Sequence, residues 1–95
     1  MKTLADIRRR AAEGARLEVI GQTRRPELVG TVRTIVHATT GPRYTFTSDH
    51  ADGELYHGTW PKAAEARIID ADTFEYDIKP GPGVIRLRFL PVGEG

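Results

Sequence analysis

The chain has 95 residues, a length that supports one domain, because two domains would each be left with too small a core. Hydrophobic residues make up 39% and charged residues 28%, which excludes a disordered or membrane-embedded composition. Cysteine is absent, which excludes disulfides, thiol nucleophiles and zinc sites with thiolate ligands. Neither a signal-peptide pattern nor an apolar run of about 20 residues is present. We therefore expect one cytoplasmic domain over residues 1–95, without a membrane partner and with a short flexible tail at 91–95.

Charge is nearly balanced over the whole chain but not along it. The chain holds 14 basic and 13 acidic side chains, and eleven of the basic ones are arginine. Residues 1–48 hold nine basic and four acidic side chains, a net charge of +5, whereas residues 49–95 hold five and nine, a net charge of −4. The halves either form two surfaces of opposite charge or interleave and neutralise each other. Interleaving is the more common arrangement in balanced domains.

The first element predicted is a helix over residues 3–13. Thr3 can cap it, and Asp6 stands three residues later, as in a capping box. Gly14 is well placed to end it. The apolar residues at helical spacing are Leu4, Ile7 and Ala11.

Period-two alternation of apolar and polar residues follows the helix and predicts a β-rich remainder. Six or seven short strands are expected, at residues 15–19, 28–37, 43–48, 54–57, 67–70, 73–78 and 85–89. The pattern predicts a mainly β (α+β) fold, a small antiparallel barrel or sandwich covered by the N-terminal helix. The aromatic residues that fall on the apolar phase, and so are expected in the core, are Tyr44, Phe46, Phe74, Tyr76 and Phe89.

Ser48, Asp49 and His50 place a nucleophile, an acid and a base in one line. A triad needs the base within hydrogen-bond distance of the nucleophile and the acid behind the base, which contiguous residues rarely provide. No nucleophile-elbow glycines flank the serine. The segment is therefore interpreted as a turn in which Ser and Asp side chains bond nearby backbone.

Two further clusters are candidates for a metal site and a catalytic carboxylate pair. Imidazole and carboxylate groups suit zinc, but the four candidates match no compact metal motif: His50, Asp52, Glu54 and His57. Glu75 and Asp77 share the polar face of one strand, yet a glycosidase needs a deep cleft around such a pair. The sequence therefore predicts a non-enzymatic protein with no metal or cofactor.

The arginines carry most of the positive charge, and arginine suits both phosphate contact and protein interfaces. A nucleic-acid-binding face is the alternative function that they suggest. It would use the helix residues Arg8, Arg9 and Arg10 together with Arg16, Arg24, Arg25, Arg33 and Arg43.

The segment Trp60-Pro61-Lys62-Ala63 reads as a corner between strands. Trp60 can plug one end of the barrel, Pro61 fixes the chain direction, and the stem of Lys62 can pack beside the indole. Tryptophan and arginine dominate the energetics of protein interfaces where they are exposed. A protein partner is therefore predicted to contact Trp60, Lys62, Arg8, Arg9 and Arg10.

The W-P-K-A corner, the T-L-A-D-I start of the helix and the aromatic strands resemble small proteins of phage and prophage genomes. The residues that carry this resemblance are Val36, Tyr44, Phe46, Trp60, Pro61, Lys62, Ala63, Phe74 and Tyr76. The sequence departs from the pattern at 57–59, where a strand containing Ser is expected, and at 80–83. The resemblance implies a mobile genetic element and no particular reaction. We expect a binding protein that occupies a surface of a host or phage protein, by analogy an inhibitor of a host defence protein, with a virion structural or assembly role as a further alternative.

Overall fold

The computed structural model describes residues 2–38, 41–78 and 81–91, with the backbone alone described at 51 and 52. In these ranges the chain forms one helix and seven strands, with single 3₁₀ turns at Pro26–Leu28 and Ala63–Glu65. The elements are α1 (Leu4–Arg10), β1 (Arg16–Gln22), β2 (Val32–Ala38), β3 (Arg43–Ser48), β4 (Ala51–Thr59), β5 (Ala66–Ile68), β6 (Thr73–Asp77) and β7 (Val84–Phe89).

Helix α1 begins where the sequence predicts. The backbone N–H of Asp6 donates to the Thr3 hydroxyl at 3.3 Å, and the N–H of Thr3 donates to the Asp6 carboxylate at 3.1 Å, which completes a capping box. The helix ends at Arg10 rather than at residue 13, because Ala11 leaves the helical conformation. Ile7 is fully buried and holds α1 on the sheet.

The seven strands of the described ranges form one antiparallel sheet in the order β4-β3-β2-β1-β7-β6-β5. A first meander, β1 to β4, and a second, β5 to β7, meet where β1 pairs with β7. The sheet curves, so that the ring of Trp60 lies between those of Tyr44 on β3 and Phe74 on β6. The mainly β fold and the N-terminal helix are confirmed, and the sheet remains open because its edge strands, β4 and β5, do not pair in the ranges described.

The inner face of the sheet carries the core. Leu17 on β1 lies opposite Phe89 on β7 and Arg33 on β2, so that all three side chains share this face. Four of the five aromatic residues expected in the core are buried, and Tyr76 is half-buried. The buried core residues of the strands are Leu17, Val19, Ile35, Tyr44, Phe46, Phe74, Ile85, Leu87 and Phe89.

Several strand boundaries differ from the prediction. β1 extends to Gln22 and not only to residue 19, and β5 ends at Ile68 and not at residue 70. The strand expected from Leu28 begins at Val32, because Pro26–Leu28 forms a 3₁₀ turn and Gly30 has a φ of +96°. The strand expected from Glu54 begins at Ala51 and extends to Thr59, which makes β4 nine residues long. The expected tail at 91–95 lies outside the described residues, apart from Pro91.

The outer face of the second meander carries paired charges. Arg67 on β5 donates to Glu75 on β6 at 2.7 Å, and Arg86 on β7 donates to the same carboxylate at 2.6 Å. Pairs also join the basic and acidic halves of the chain, Arg10 with Asp72 and Arg88 with Glu18. None of the described helices has the length and apolar character needed to cross a membrane.

Candidate functional site

The inner face of the curved sheet opens into a cavity of about 430 Å³ between β4 and β6. Its base is formed by side chains of β1, β2, β3 and β7, and the segment that links β4 to β5 lies along its rim. We call this cavity the seam cleft, because it lies where the open sheet would need to close. Its lining includes Gln22, Arg33, Tyr44, Phe46, Gly58, Trp60, Glu65, Tyr76 and Asp77.

Stacked aromatic rings form one wall of the seam cleft. The rings of Tyr44 and Trp60 lie 4.2 Å apart and 19° from parallel. Gly58 allows this stack, because a Cβ atom at that position would lie 2.3 Å from Cζ of Tyr44. The stack of Trp60 on Tyr44 therefore requires glycine at position 58.

Arg33 lies half-buried at the base of the seam cleft. Its guanidinium carbon is 4.6 Å from the ring centre of Phe46, and its Nη1 lies 3.5 Å from the hydroxyl oxygen of Tyr44. Of the strand arginines in the described ranges, Arg33 is the one whose register places it on the inner face. Within the described ranges no carboxylate lies at ion-pair distance from it, in contrast to the paired arginines of the outer face.

Tyr76 faces Tyr44 and Arg33 across the seam cleft. Burial raises the pKa of the Tyr76 phenol above its usual value, the neighbouring Tyr44 hydroxyl raises it further, and Arg33 opposes the rise. The phenol therefore stays protonated at neutral pH and keeps a proton to donate. Arginine and tyrosine groups together give the base of the seam cleft a donor-rich, positively charged character.

The free edge of β4 forms one lip of the seam cleft. Trp60 donates its backbone N–H to the carbonyl of Pro42 at 2.7 Å, one step beyond the paired residues Arg43 and Thr59. Because directly opposed residues of an antiparallel pair alternate between bonded and non-bonded pairs, the backbone groups of His57 and Thr59 face away from β3. Since β4 is the last strand of the sheet in the part of the chain that the structure describes, these groups lie at an open edge.

Ser48 and His50 do make the contact that their positions made improbable. The Ser48 hydroxyl lies 2.5 Å from Nδ1 of His50. Asp49 does not support the imidazole, because its carboxylate accepts the backbone N–H of Val32 at 2.8 Å instead. Ser48 is buried, and the pair belongs to the turn that links β3 to β4. The arrangement is that of a turn, with a Ser–His hydrogen bond added to it.

The other clusters considered from the sequence do not assemble into a catalytic or metal centre. In the described ranges no three His, Asp or Glu side chains lie close enough to hold a metal ion, and the side chain of Asp52 lies outside them. Glu75 and Asp77 are both bound to Arg67. Hydrogen bonds from Arg67 and Arg86 lower the pKa of Glu75, which favours its charged form as the partner of these two arginines.

The residues predicted to contact a protein partner lie in two places. Trp60 is only 5% exposed and belongs to the core, because the alternation of β4 continues through it and directs the indole inward. Trp60 therefore fills the core, as a plug would. The expectation that it is an exposed contact residue is wrong, because its small accessible part lies in the seam cleft. Lys62 is exposed on the corner. On α1, Arg8 and Arg9 are exposed and Arg10 bonds to Asp72.

The residues of the nucleic-acid alternative do not share one face. Arg33 lies on the inner face of the sheet, while the register places Arg16 and Arg43 on the outer face. Arg25 pairs with Glu27 at 3.1 Å, and Arg24 packs beside Gly83. Arg33 was predicted from the sequence only as a nucleic-acid contact, and its contacts with Tyr44 and Tyr76 were not predicted. The alternation of apolar and polar residues along β2 places Arg33 on the inward side, and this signal would have distinguished Arg33 from the other arginines.

Comparison of the chain with protein-family models, with curated proteins and with solved structures finds no match. The likeness to phage and prophage proteins therefore remains a prediction.

Proposed function

We propose that this chain is a non-enzymatic binding domain that holds an extended segment of a partner protein against the free edge of β4. The observation that carries the proposal is the open edge at His57 and Thr59, whose backbone groups face away from the sheet. An added strand would satisfy these groups with main-chain hydrogen bonds, as in other proteins that bind peptides by strand addition.

The two edges of the sheet differ in how well they are protected. β5 has three residues and presents the exposed, charged Arg67 at its centre. β4 has nine residues, contains no lysine, arginine or proline, and carries Leu55 with 60% of its surface exposed. Short length and edge charges are the usual means by which proteins prevent strand addition. β4 is long, and although Asp52 and Glu54 lie near its start, its last part from Leu55 to Thr59 has no acidic or basic residue apart from His57, which supports this part of the edge as the binding edge.

The position of the seam cleft supports the same proposal. His57, Gly58 and Thr59 belong both to the edge strand and to the lining of the cleft. A strand added to β4 would direct every second side chain toward the sheet's inner side, where the cleft offers a pocket. Main-chain bonds would then provide affinity, and the cleft would provide selection among sequences. The phage setting and a host target are supported by the W-P-K-A resemblance alone.

Proline at position 57 tests the proposal. The N–H of His57 faces away from β3, so proline removes it without breaking a bond of the sheet, as edge strands tolerate. A displayed library of random peptides would be selected on the wild-type protein. The enriched peptides would then be measured against His57→Pro and the matched control His57→Ala, which loses the same imidazole but keeps the N–H.

We expect the selected peptides to bind wild type and His57→Ala equally and His57→Pro at least tenfold more weakly. Circular dichroism and Trp60 fluorescence would confirm that both variants fold. Failure of any peptide to enrich, or equal binding to all three proteins, would contradict strand addition at β4. Enrichment of nucleic acid instead, abolished by nuclease, would favour the arginine-based alternative.

A further inference from the structure

We infer that the base of the seam cleft is a binding site for a carboxylate group, with Arg33 as its principal ligand. The inference rests on the proposed function in one respect, because the carboxylate would belong to a peptide segment held along β4. The site itself is built from side chains already in place, and small carboxylates test it without any partner.

The guanidinium at the base of the seam cleft is not paired with a carboxylate of the described residues. Arg33 is half-buried against the Phe46 ring, and its described polar side-chain neighbours are two neutral hydroxyls, that of Tyr44 at 3.5 Å and that of Tyr76. A guanidinium has five N–H donors, so two hydroxyls leave part of this donor set for a ligand or for water. A cation removed from water is stabilised by an anion that meets it with good geometry. The cleft therefore favours an anionic group at this point.

The neighbouring hydroxyls extend the donor set. The Tyr76 phenol is held protonated by its buried surroundings and lies beside Tyr44 and Arg33. Two phenols and a planar guanidinium converging on one cavity can bind a group with two oxygens, since the guanidinium fork accepts a carboxylate through two parallel hydrogen bonds.

The rim of the seam cleft selects a single negative charge. Asp77 and Glu65 line the cleft along with Arg33. Asp77 is already paired with Arg67 at 3.0 Å, and Glu65 accepts the backbone N–H of Lys62 at 3.1 Å. A phosphate dianion would face these two carboxylates with one arginine to offset them, whereas a carboxylate brings half that charge. The chemical class that fits is a carboxylate on an otherwise uncharged or basic segment.

The two sources of such a group are an acidic side chain and a chain terminus. Three probes separate them: N-acetylglutamate N′-methylamide carries a side-chain carboxylate, N-acetylalanine carries a terminal one, and the glutamine analogue of the first is neutral. Binding would be followed by the fluorescence of Trp60, the one tryptophan of the chain, and by the NMR resonance of the Arg33 side-chain N–H. Inorganic phosphate would be titrated in parallel.

The variants are Arg33→Gln and the control Arg16→Gln, which removes the same charge from the outer face of β1. We expect Arg33→Gln to weaken carboxylate binding at least tenfold and Arg16→Gln to change it less than twofold. Arg33→Lys keeps the positive charge but lacks the planar guanidinium, so it should weaken carboxylate binding by an intermediate amount. This variant also keeps the inference testable if Arg33→Gln does not fold. The stronger of the two carboxylate probes identifies the source of the group.

His57→Pro separates this inference from the proposed function. If it binds the small carboxylates as wild type does but not the selected peptides, both the carboxylate site and the β4 edge are supported. If wild type binds peptides at β4 but neither carboxylate probe, the carboxylate site is wrong and strand addition stands. Equal binding of the glutamine analogue, tighter binding of phosphate, or unchanged binding in Arg33→Gln would each overturn the carboxylate assignment.

Discussion

The two meanders of the sheet use different side chains to hold their strands in place. In the first meander the strands are held by contacts on the inner face, namely the stacked rings of Tyr44 and Trp60 and the close approach of Gly58 to the Tyr44 ring. In the second meander the outer face contributes a charged ladder in which Glu75 binds Arg67 and Arg86. The second meander thus pairs the charges of this ladder within itself, and its edge strand is short.

The first meander leaves more groups open than the second, whose edge strand β5 has only three residues. The guanidinium of Arg33 faces a cleft without a described carboxylate partner, and the β4 edge leaves backbone groups of His57 and Thr59 open. Groups that a fold does not satisfy internally are satisfied by water or by a ligand. The contrast between the meanders therefore favours the first one for the proposed binding surface, although both contribute to the same core.

Gly58→Ala is expected to have the largest effect on this comparison, because it acts on the aromatic wall directly. The added Cβ would overlap the Tyr44 ring, and forced repacking of this kind costs about 1–3 kcal/mol of unfolding free energy. Urea denaturation would measure the loss, and Trp60 fluorescence would report the disturbed stack. The neighbouring exposed residue provides the control, since Thr59→Ala should change the free energy by less than about 0.5 kcal/mol. Equal effects of the two substitutions would show that the stack does not depend on Gly58.

Much of the fold was predictable because alternation decides which side of a strand is buried. Tyr44, Phe46 and Phe74 were placed in the core from their phase alone, and their burial confirms it. The boundaries of β2 and β4 were not predictable with the same rule. Gly30 was expected inside a strand, but its positive φ belongs to the turn before β2. The start of β4 was hidden because Asp52 and Gly53 carry turn chemistry within a strand.

The candidate site was less predictable than the fold, because it depends on which strands meet. Arg33 was identified from the sequence only as one basic residue among many. Its position opposite Leu17 follows from the pairing of β1 with β2, and its approach to Tyr76 follows from the curvature of the whole sheet. Local patterns give the phase of a strand but not its neighbours. For the same reason the sequence placed Trp60 at one end of a barrel, and its stack with Tyr44 in an open sheet was not predicted.

Glu75→Gln is expected to have the next largest effect, on the charged ladder of the second meander. The Glu75 side chain is 14% exposed and accepts hydrogen bonds from two arginines, so its neutralisation should cost about 1 kcal/mol at pH 7. Because the arginines lower the pKa of Glu75 in the folded state, its stabilising contribution is present above the unfolded-state pKa of about 4.3. That contribution is lost as the pH falls through the lower, folded-state value.

Unfolding curves of wild type and Glu75→Gln should therefore differ at neutral pH and converge in acid. Glu13→Gln serves as the control, because Glu13 is exposed and lies 3.6 Å from His37 at the surface. A wild-type advantage that persists unchanged in strong acid would mean that the carboxylate charge is not what stabilises the ladder.

Arg25→Gln should have the smallest effect and sharpens the comparison, because it breaks a charge pair of the first half of the chain. Nε of Arg25 lies 3.1 Å from a carboxylate oxygen of Glu27, but both side chains are 62% exposed. Water screens such a pair and the two side chains lose freedom in forming it, so the melting temperature should shift by less than about 3 °C. A shift as large as that of Glu75→Gln would show that exposed pairs stabilise the first meander as well. The two meanders would then differ in where their charge pairs lie in the sheet, and not in whether charge pairs stabilise them.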